Sequence, residues 1–392
     1  MIISASRVIL GDRQLQPLED AAILVQDGII KEIDSCDKLA AANPAEQLVN
    51  YPDATLLPGL IDMHVHIGTD GAPDAGGFND YMWALCAVSQ LHQAFSMGVT
   101  TVRDVSSRDG LATTLREAVA RGYAVLPRIL TSNLGICMTG GHGYDTHETV
   151  LQCDGEWEIR KAIRRQYRDG ADWVKILSSE GQRGQEYTQA ELNAAVDECH
   201  RMGRLCAAHA GYQPSVAMCV KAGFDSIEHG TFLTVEEALQ MNRHDQTWVP
   251  TIIAFAYIEE QINAGIPYAK TEELNNYFHL AVDAYAKNFK RLYETGVRVT
   301  CGTDQVVWQA PRYPVAQEAA YMVRYGISPL AAIETATKNG ADALRLGDKL
   351  GQIKQGYIAD ILVTEGNPAR DILDLQRVKA VYQSGELRYR SM

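Results

Sequence analysis

The sequence is short of features that several large classes of protein require. No run approaches the roughly 20 consecutive apolar residues of a membrane-spanning helix, so a membrane span is not expected. Basic charge is in deficit: 36 Lys and Arg stand against 49 Asp and Glu, a formal net charge of −13. Nucleic-acid binders displace counterions with a basic face, and anionic lipid attracts polybasic segments, so neither partner fits this balance. The acidic excess reads as a solubility feature. Met1–Leu10 has no basic stretch followed by an apolar one, and Ser4, Ser6 and Arg7 interrupt it, so a secretory leader is not expected. The eight cysteines form no CxxC pair, and several sit inside apolar segments, such as Cys206 in LCAAHA and Cys301 in VTCGTD. They read as small buried hydrophobes in a reducing cytoplasm, not as a disulfide framework or zinc knuckle.

What the sequence does contain is an alternation. Eight short apolar runs are strand candidates: Leu60–His66, Val99–Val105, Arg128–Asn133, Trp173–Leu177, Leu205–Ala210, Ser226–His229, Trp248–Ile253 and Val297–Asp304. Amphipathic stretches lie between most of them, including Tyr81–Met97, Glu156–Arg168, Gln189–Met202 and Tyr268–Glu294. Alternating strands and helices over this length predict a closed (β/α)8 TIM barrel, an α/β fold. An open doubly wound sheet fits less well, because no Gly-rich phosphate loop follows the first run. Residues 1–57 and 350–392 read instead as short strands with turns. Neither end can cover a sheet face alone, so together they are expected to form a small β-sandwich domain beside a barrel of residues 58–349.

The chemistry sits where the apolar runs stop. His64 and His66, in LIDMHVH, are at i and i+2 on a strand, so both imidazoles project from one face. Neutral imidazole is a good ligand for Zn²⁺ and related divalent ions. His209 stands near the end of the fifth run, His229 at the end of the sixth and Asp304 at the end of the eighth. Each alone reads equally well as a hydrogen-bonded histidine or a helix-capping aspartate. Together they converge on one mouth if the strands close into a barrel. Lys175, inside DWVKIL, is costly as a bare buried ammonium. It must lose its charge, pair with an anion or be modified; a neutral amine can add CO₂ to give an anionic carbamate able to bridge two cations.

LPGLIDMHVH, VKIL, AAHA, EHG and GTD together resemble the amidohydrolase superfamily over essentially the whole chain. The resemblance implies a binuclear centre. His64, His66 and Asp304 would hold one metal and His209 and His229 the other, bridged by N6-carboxylated Lys175 and a hydroxide. Two divalent ions are therefore expected, zinc by default, with Mn²⁺, Fe²⁺ or Co²⁺ suiting the same ligands. TTVRDV (Thr100–Val105), TGGHG (Thr139–Gly143) and WVPT (Trp248–Thr251) are similar to imidazolonepropionase-like hydrolases, a group that includes Xaa-Pro dipeptidases and enzymes cleaving N-acyl amino acids. That likeness implies a dipeptide or small N-acyl substrate, with His142 near the scissile carbonyl. A substrate-contacting tyrosine follows the third metal histidine in those dipeptidases; here Tyr212 follows in HAGY, one place later than in a HAY pattern.

The implied reaction is hydrolysis of an amide, with Asp304 as both ligand and general acid/base. Tyr144, Arg183 and Tyr212 are candidates for a substrate carboxylate, while His147 and Glu180 lie on loops beside the expected site. Arg103 and Asp104 read either as an ion pair beneath the site or as substrate-placing residues. A mononuclear deaminase or cyclic-amide hydrolase is the second reading; it usually lacks the lysine and often carries Glu where Tyr212 stands. A non-catalytic scaffold is the third, and such relatives typically lose metal ligands, whereas all six positions are filled here. Relatives often assemble, so a homo-oligomer is expected.

Overall fold

A computed structural model of the chain describes residues 1–68, 78–146, 148–179, 185–266, 271–304 and 312–391. His147, Glu180 and Arg183 lie outside the described residues. The chain divides into two compact units, one of Met1–Asp62, His92–Thr101 and Tyr313–Met392, the other of Met63–Leu91 and Val102–Arg312.

The N-terminal segment supplies β1 (Ile2–Val8), β2 (Leu18–Gln26), β3 (Ile29–Ser35) and β4 (Leu48–Pro58). The barrel strands follow: β5 (Leu60–Val65), β6 (Val99–Asp104), β7 (Arg128–Thr131), with β8 (Gly135–Cys137) and β9 (Val150–Gln152) as a side branch, then β10 (Trp173–Leu177), β11 (Leu205–Ala210), β12 (Ser226–His229), β13 (Thr247–Val249) and β14 (Arg298–Val299). The chain ends with β15 (Ile361–Glu365), β16 (Val378–Gln383) and β17 (Glu386–Arg390). The expected α/β architecture is present, a TIM barrel with a β-sandwich sheet drawn from both termini.

In the terminal sheet the order is β17-β16-β15-β4-β1-β2-β3. Parallel pairing of β1 with β4 and antiparallel pairing of β4 with β15 (Leu56 opposite Val363) put the C-terminal strands directly beside the N-terminal ones. The shared face is apolar throughout: Ile3, Val8, Ile23, Leu56, Ile361 and Val363 form one buried cluster.

The barrel wall from β10 to β14 is parallel and continuous, and β5, β6 and β7 form its other arc. Met63 N–H donates to Cys301 O at 2.9 Å and Asp304 N–H to His64 O at 2.8 Å, joining the chain after β14 to β5. That join needs Gly302, where a Cβ would lie 2.5 Å from Val249 Cγ1 and 2.7 Å from His64 Cβ. The intervening helices begin where the sequence can cap them: Thr188 with Glu191 and Thr234 with Glu237 form reciprocal capping boxes, each cap contributing about 0.5–2 kcal/mol.

The seventh and eighth strands fall furthest short of their apolar runs. The seventh stops at Val249 rather than Ile253, because Pro250 has no N–H for the ladder and Thr251 turns left-handed at φ 51°. A helix, Ile252–Asn263, follows at once. It is apolar because it is buried along much of its length, which makes it indistinguishable from a strand by hydrophobicity alone. The eighth pairs only at Arg298–Val299.

Candidate metal centre

The second unit brings the strand-end residues together. His66 Nε2 lies 3.2 Å and His64 Nε2 3.5 Å from Asp304 Oδ1, and His229 Nδ1 lies 3.9 Å from Asp304 Oδ2. The imidazoles form a chain: His66 to His64 (ring centroids 5.3 Å), His64 to His229 (5.1 Å), His229 to His209 (4.4 Å), His209 to His142 (4.1 Å, stacked). All of these and Lys175 line one cavity of about 310 Å³. Two of the residues sit in strained backbone, His229 at φ 65° and Asp304 at φ 42°, a cost that persists only where surrounding structure enforces it. For His229 that enforcement is visible: its carbonyl accepts from Trp248 Nε1 at 2.7 Å and from the Tyr285 hydroxyl at 3.1 Å.

The protons in this cluster can be placed. Arg103 donates to both oxygens of Glu228 at 2.7 and 2.8 Å. Burial works against that carboxylate's charge, but Arg103 and His64 hold its pKa far below the usual range. An ionised carboxylate only accepts, so His64 Nδ1 must donate to Glu228 Oε2 at 2.7 Å. His66 Nδ1 likewise donates to the carbonyl of Ser106 at 2.8 Å. In its neutral form each ring therefore turns an Nε2 lone pair toward Asp304. Burial again opposes charge on Asp304, but the surrounding histidines hold it ionised. Lone pairs facing a carboxylate at these distances repel unless a proton or a cation lies between them.

The donor set fits divalent metal. The ligand atoms of His64, His66 and Asp304 all lie within 4.8 Å of one another, and both histidines have the carboxylate or carbonyl partner on the far nitrogen that orients metal-binding imidazoles. Burial, and then the charge of Lys175, pulls the His64 pKa down to about 4. Burial also pushes His209 and His229 well below their ordinary value. Neutral imidazole is the form that ligates. For His66 burial is outweighed by its hydrogen bond to Asp304, and the pKa rises; that proton occupies the place a cation would take. Lys175 is 1% exposed, and burial lowers its pKa to about 8 against the opposing charges of Glu228 and Asp304. A useful fraction of neutral amine is thus present near neutrality.

His142 joins the cluster through its stack on His209. Glu186 accepts from its backbone N–H at 3.0 Å, and its buried Nδ1 has no hydrogen-bond partner among the described residues. Burial, with Lys175 second, lowers its pKa to about 4. The two tyrosines named from sequence lie next to lining residues without lining the cavity themselves. Tyr144 is half exposed and does not line the cavity. Tyr212 does not line it either; its ring stacks on Tyr277 at 5.2 Å, and Tyr277 does line it.

Arg103 and Asp104 form no pair with each other, because successive strand residues face opposite ways. Arg103 also donates to Met63 O and Ser226 Oγ at 2.6 and 2.9 Å and lies 4.5 Å from the Trp173 ring. Asp104 instead accepts from Thr131 Oγ1, Ser107 Oγ and Ile67 N–H. Glu228, the partner of His64, was missed by sequence reading. Arg103 calls for a buried anion without saying which, since a buried guanidinium requires one.

Comparison with known proteins agrees with this geometry. The Amidohydrolase family model matches residues 55–388. Ochratoxinase of Aspergillus niger is 28% identical to the chain over 97% of its length and 84% of the relative's. Imidazolonepropionase of Salinispora tropica is 26% identical over 91% of this chain and 88% of that one. Among solved structures, a Xaa-Pro dipeptidase with bound methionine in its active site superposes with a TM-score of 0.89 at 32% identity, covering 100% of this chain and 99% of the other. The chain belongs to the amidohydrolase family and is a hydrolase acting on carbon–nitrogen bonds.

Proposed function

We propose that this amidohydrolase cleaves the amide bond of a dipeptide, Xaa-Pro dipeptides included, or of an N-acyl amino acid. His64, His66 and Asp304 would hold one divalent cation, zinc by default, and His209 and His229 a second, with Lys175 carboxylated on Nζ and shared between them. Bound there, the cations would supply an ionised water at neutral pH and Lewis acidity toward a carbonyl oxygen. The observation that carries the reading is the convergence of His64 Nε2 and His66 Nε2 on a buried, ionised Asp304, with each ring's Nδ1 already engaged elsewhere.

The chain's own residues then have defined tasks. Asp304, the carboxylate within reach of three imidazoles, accepts the proton of the attacking water. It returns that proton to the amide nitrogen as the carbon–nitrogen bond breaks, giving a carboxylate and a free amine. An amine is a poor leaving group unprotonated, so the return step is obligatory. His142, neutral around pH 7, is placed by its stack on His209 to donate from one ring nitrogen to the carbonyl oxygen as negative charge develops there. Arg103 and Glu228 hold the His64 ring in its donating tautomer. Eight cysteines outside any disulfide suit the cytoplasm, where we place the reaction, and a homo-oligomer remains our expectation for the assembly.

The test is a panel of dipeptides and N-acyl amino acids presented to protein loaded with zinc and bicarbonate, with metal counted per chain. Cleavage abolished by chelation, two ions per chain and a carbamate carbon resonance from isotope-labelled bicarbonate are the expected results. One ion per chain with action confined to cyclic amides or amino-substituted heterocycles would replace this reading with the deaminase-type one.

A further inference from the structure

The cavity has two unlike sides. The polar side is the histidine, aspartate and lysine cluster. The other is an apolar wall formed by Phe255 and Ile258 on the helix Ile252–Asn263 and by Leu274, Tyr277 and Phe278 on the helix Glu272–Tyr293. Nothing in the proposed hydrolysis uses this wall.

Its three rings are mutually tilted. Phe255 and Tyr277 meet at 6.0 Å and 74°, Tyr277 and Phe278 at 5.5 Å and 59°, Phe255 and Phe278 at 6.0 Å and 47°. These are the separations and angles at which aromatic rings pack favourably, and an incoming ring meets both edges and faces. The wall is also braced. The Tyr277 hydroxyl is engaged with Thr231 at 3.2 Å, and its ring is backed by Tyr212. Gly211 makes room for that hydroxyl, since a Cβ there would lie 2.5 Å from it. Phe255 in turn packs on His229 at 5.6 Å, so the wall begins directly beside the cluster where bond cleavage is placed.

Charge around the cavity points the same way. Among the described lining residues the apolar side carries no Lys or Arg; Lys175 belongs to the polar cluster, and Asp145 also lines the cavity. An acidic substrate side chain meets no cation on the apolar side, whereas a neutral ring meets three others.

We infer that the wall of Phe255, Tyr277 and Phe278 receives an aromatic side chain of the substrate adjacent to the scissile amide and makes these residues the determinants of specificity. Tyr212 is a positioning residue that holds Tyr277 in place. The inference rests on the amide-hydrolase reading above, so its test separates the two. Matched N-acetyl amino acids differing only in side chain (Phe, Gly, Glu) are assayed for hydrolysis, and their binding to the metal-loaded protein is measured by calorimetry. The expected result is kcat/KM for Phe over Gly higher by about 10–200-fold, the range a single apolar group commands in an enzyme pocket, with Glu lowest. Phe255→Leu and Phe278→Leu, which keep an apolar side chain, each lower the Phe-to-Gly ratio by about tenfold. Tyr212→Ala lowers the ratio and Tyr212→Phe restores it. Equal rates for Phe and Gly, or a ratio unmoved by either leucine substitution, overturn the inference while leaving amide hydrolysis standing. Tighter binding of the phenyl ligand without any turnover sustains the aromatic site and removes the hydrolytic reading.

Discussion

The terminal sheet and the barrel mouth are built from the same element, the buried β-strand, and fill it with opposite chemistry. Around β1, β4 and β15 the buried face is Ile, Val, Leu and Ala, whose burial contributes about 25 cal/mol per Å² with no directional requirement. At the mouth the strand ends bury His64, Arg103, Lys175, Glu228 and His229 at 3% exposure or less. Each of these carries a desolvation cost that only a specific partner offsets. The apolar region can lose one contact and keep its arrangement. The polar region cannot, because removing one partner leaves another charge stranded. Stability therefore resides mainly in the first kind of packing, and reactivity in the second.

That contrast can be broken or sharpened by substitution. The largest effect is expected for Asp304→Asn, which keeps shape and removes the proton shuttle. Turnover should fall by about 10²–10⁴-fold; near-full activity at full metal occupancy would defeat the role assigned to Asp304. Glu228→Gln should next cost about 3–5 kcal/mol in denaturant unfolding of metal-free protein, because Arg103 loses its anion. Metal affinity should also drop by about 10–100-fold as His64 loses its orienting partner. A double-mutant cycle with Arg103→Met should show strong coupling, and simple additivity would deny that the two act as a pair. In the terminal sheet Leu56→Ala should cost about 2–5 kcal/mol through the cavity left behind, while the activity per folded molecule stays level. Loss of activity without loss of stability there would erase the distinction between the regions.

The smallest effect concerns His200, which lies 2.9 Å from Asp225. Asp225, and next Cys206, raise its pKa from 6.5 to about 10. A folded-state pKa above the unfolded one stabilises fully below about 6.5 and is lost as pH climbs through about 10. At a site this exposed the contribution is at most about 1 kcal/mol. Unfolding free energy measured across that interval should slope downward, and His200→Ala should flatten it; an unchanged slope would assign the pH dependence to other groups.

Much of the site was legible because its signals are local. His64 and His66 share a face by strand periodicity, and Lys175 stands out because an ammonium is anomalous inside WVKIL. Glu228 was not legible: its meaning depends on Arg103, 125 positions away, and nothing in EHG alone distinguishes a metal-orienting glutamate from a solvated one. The aromatic wall was hidden differently. TIIAFAY continues the apolar run of the seventh strand without a helical period, so the sequence carries the strand to Ile253 and gives no sign of the helix that bears Phe255. Tyr212 was read forward from the metal histidine, whereas the neighbouring Gly211 lets Tyr277, from another helix, occupy the cavity edge.

Residue order alone determined the alternation of strands and helices, the partnership of the two termini and which nitrogens and oxygens are delivered to the strand ends. These follow from periodicities of two and 3.6 residues that each segment expresses within its own few turns. Barrel closure decided the rest: which imidazole nitrogen faces Asp304, which anion satisfies Arg103, and which rings wall the cavity. Such pairings are chosen by desolvation, and a buried charge acquires its partner only once distant segments have excluded water from around it.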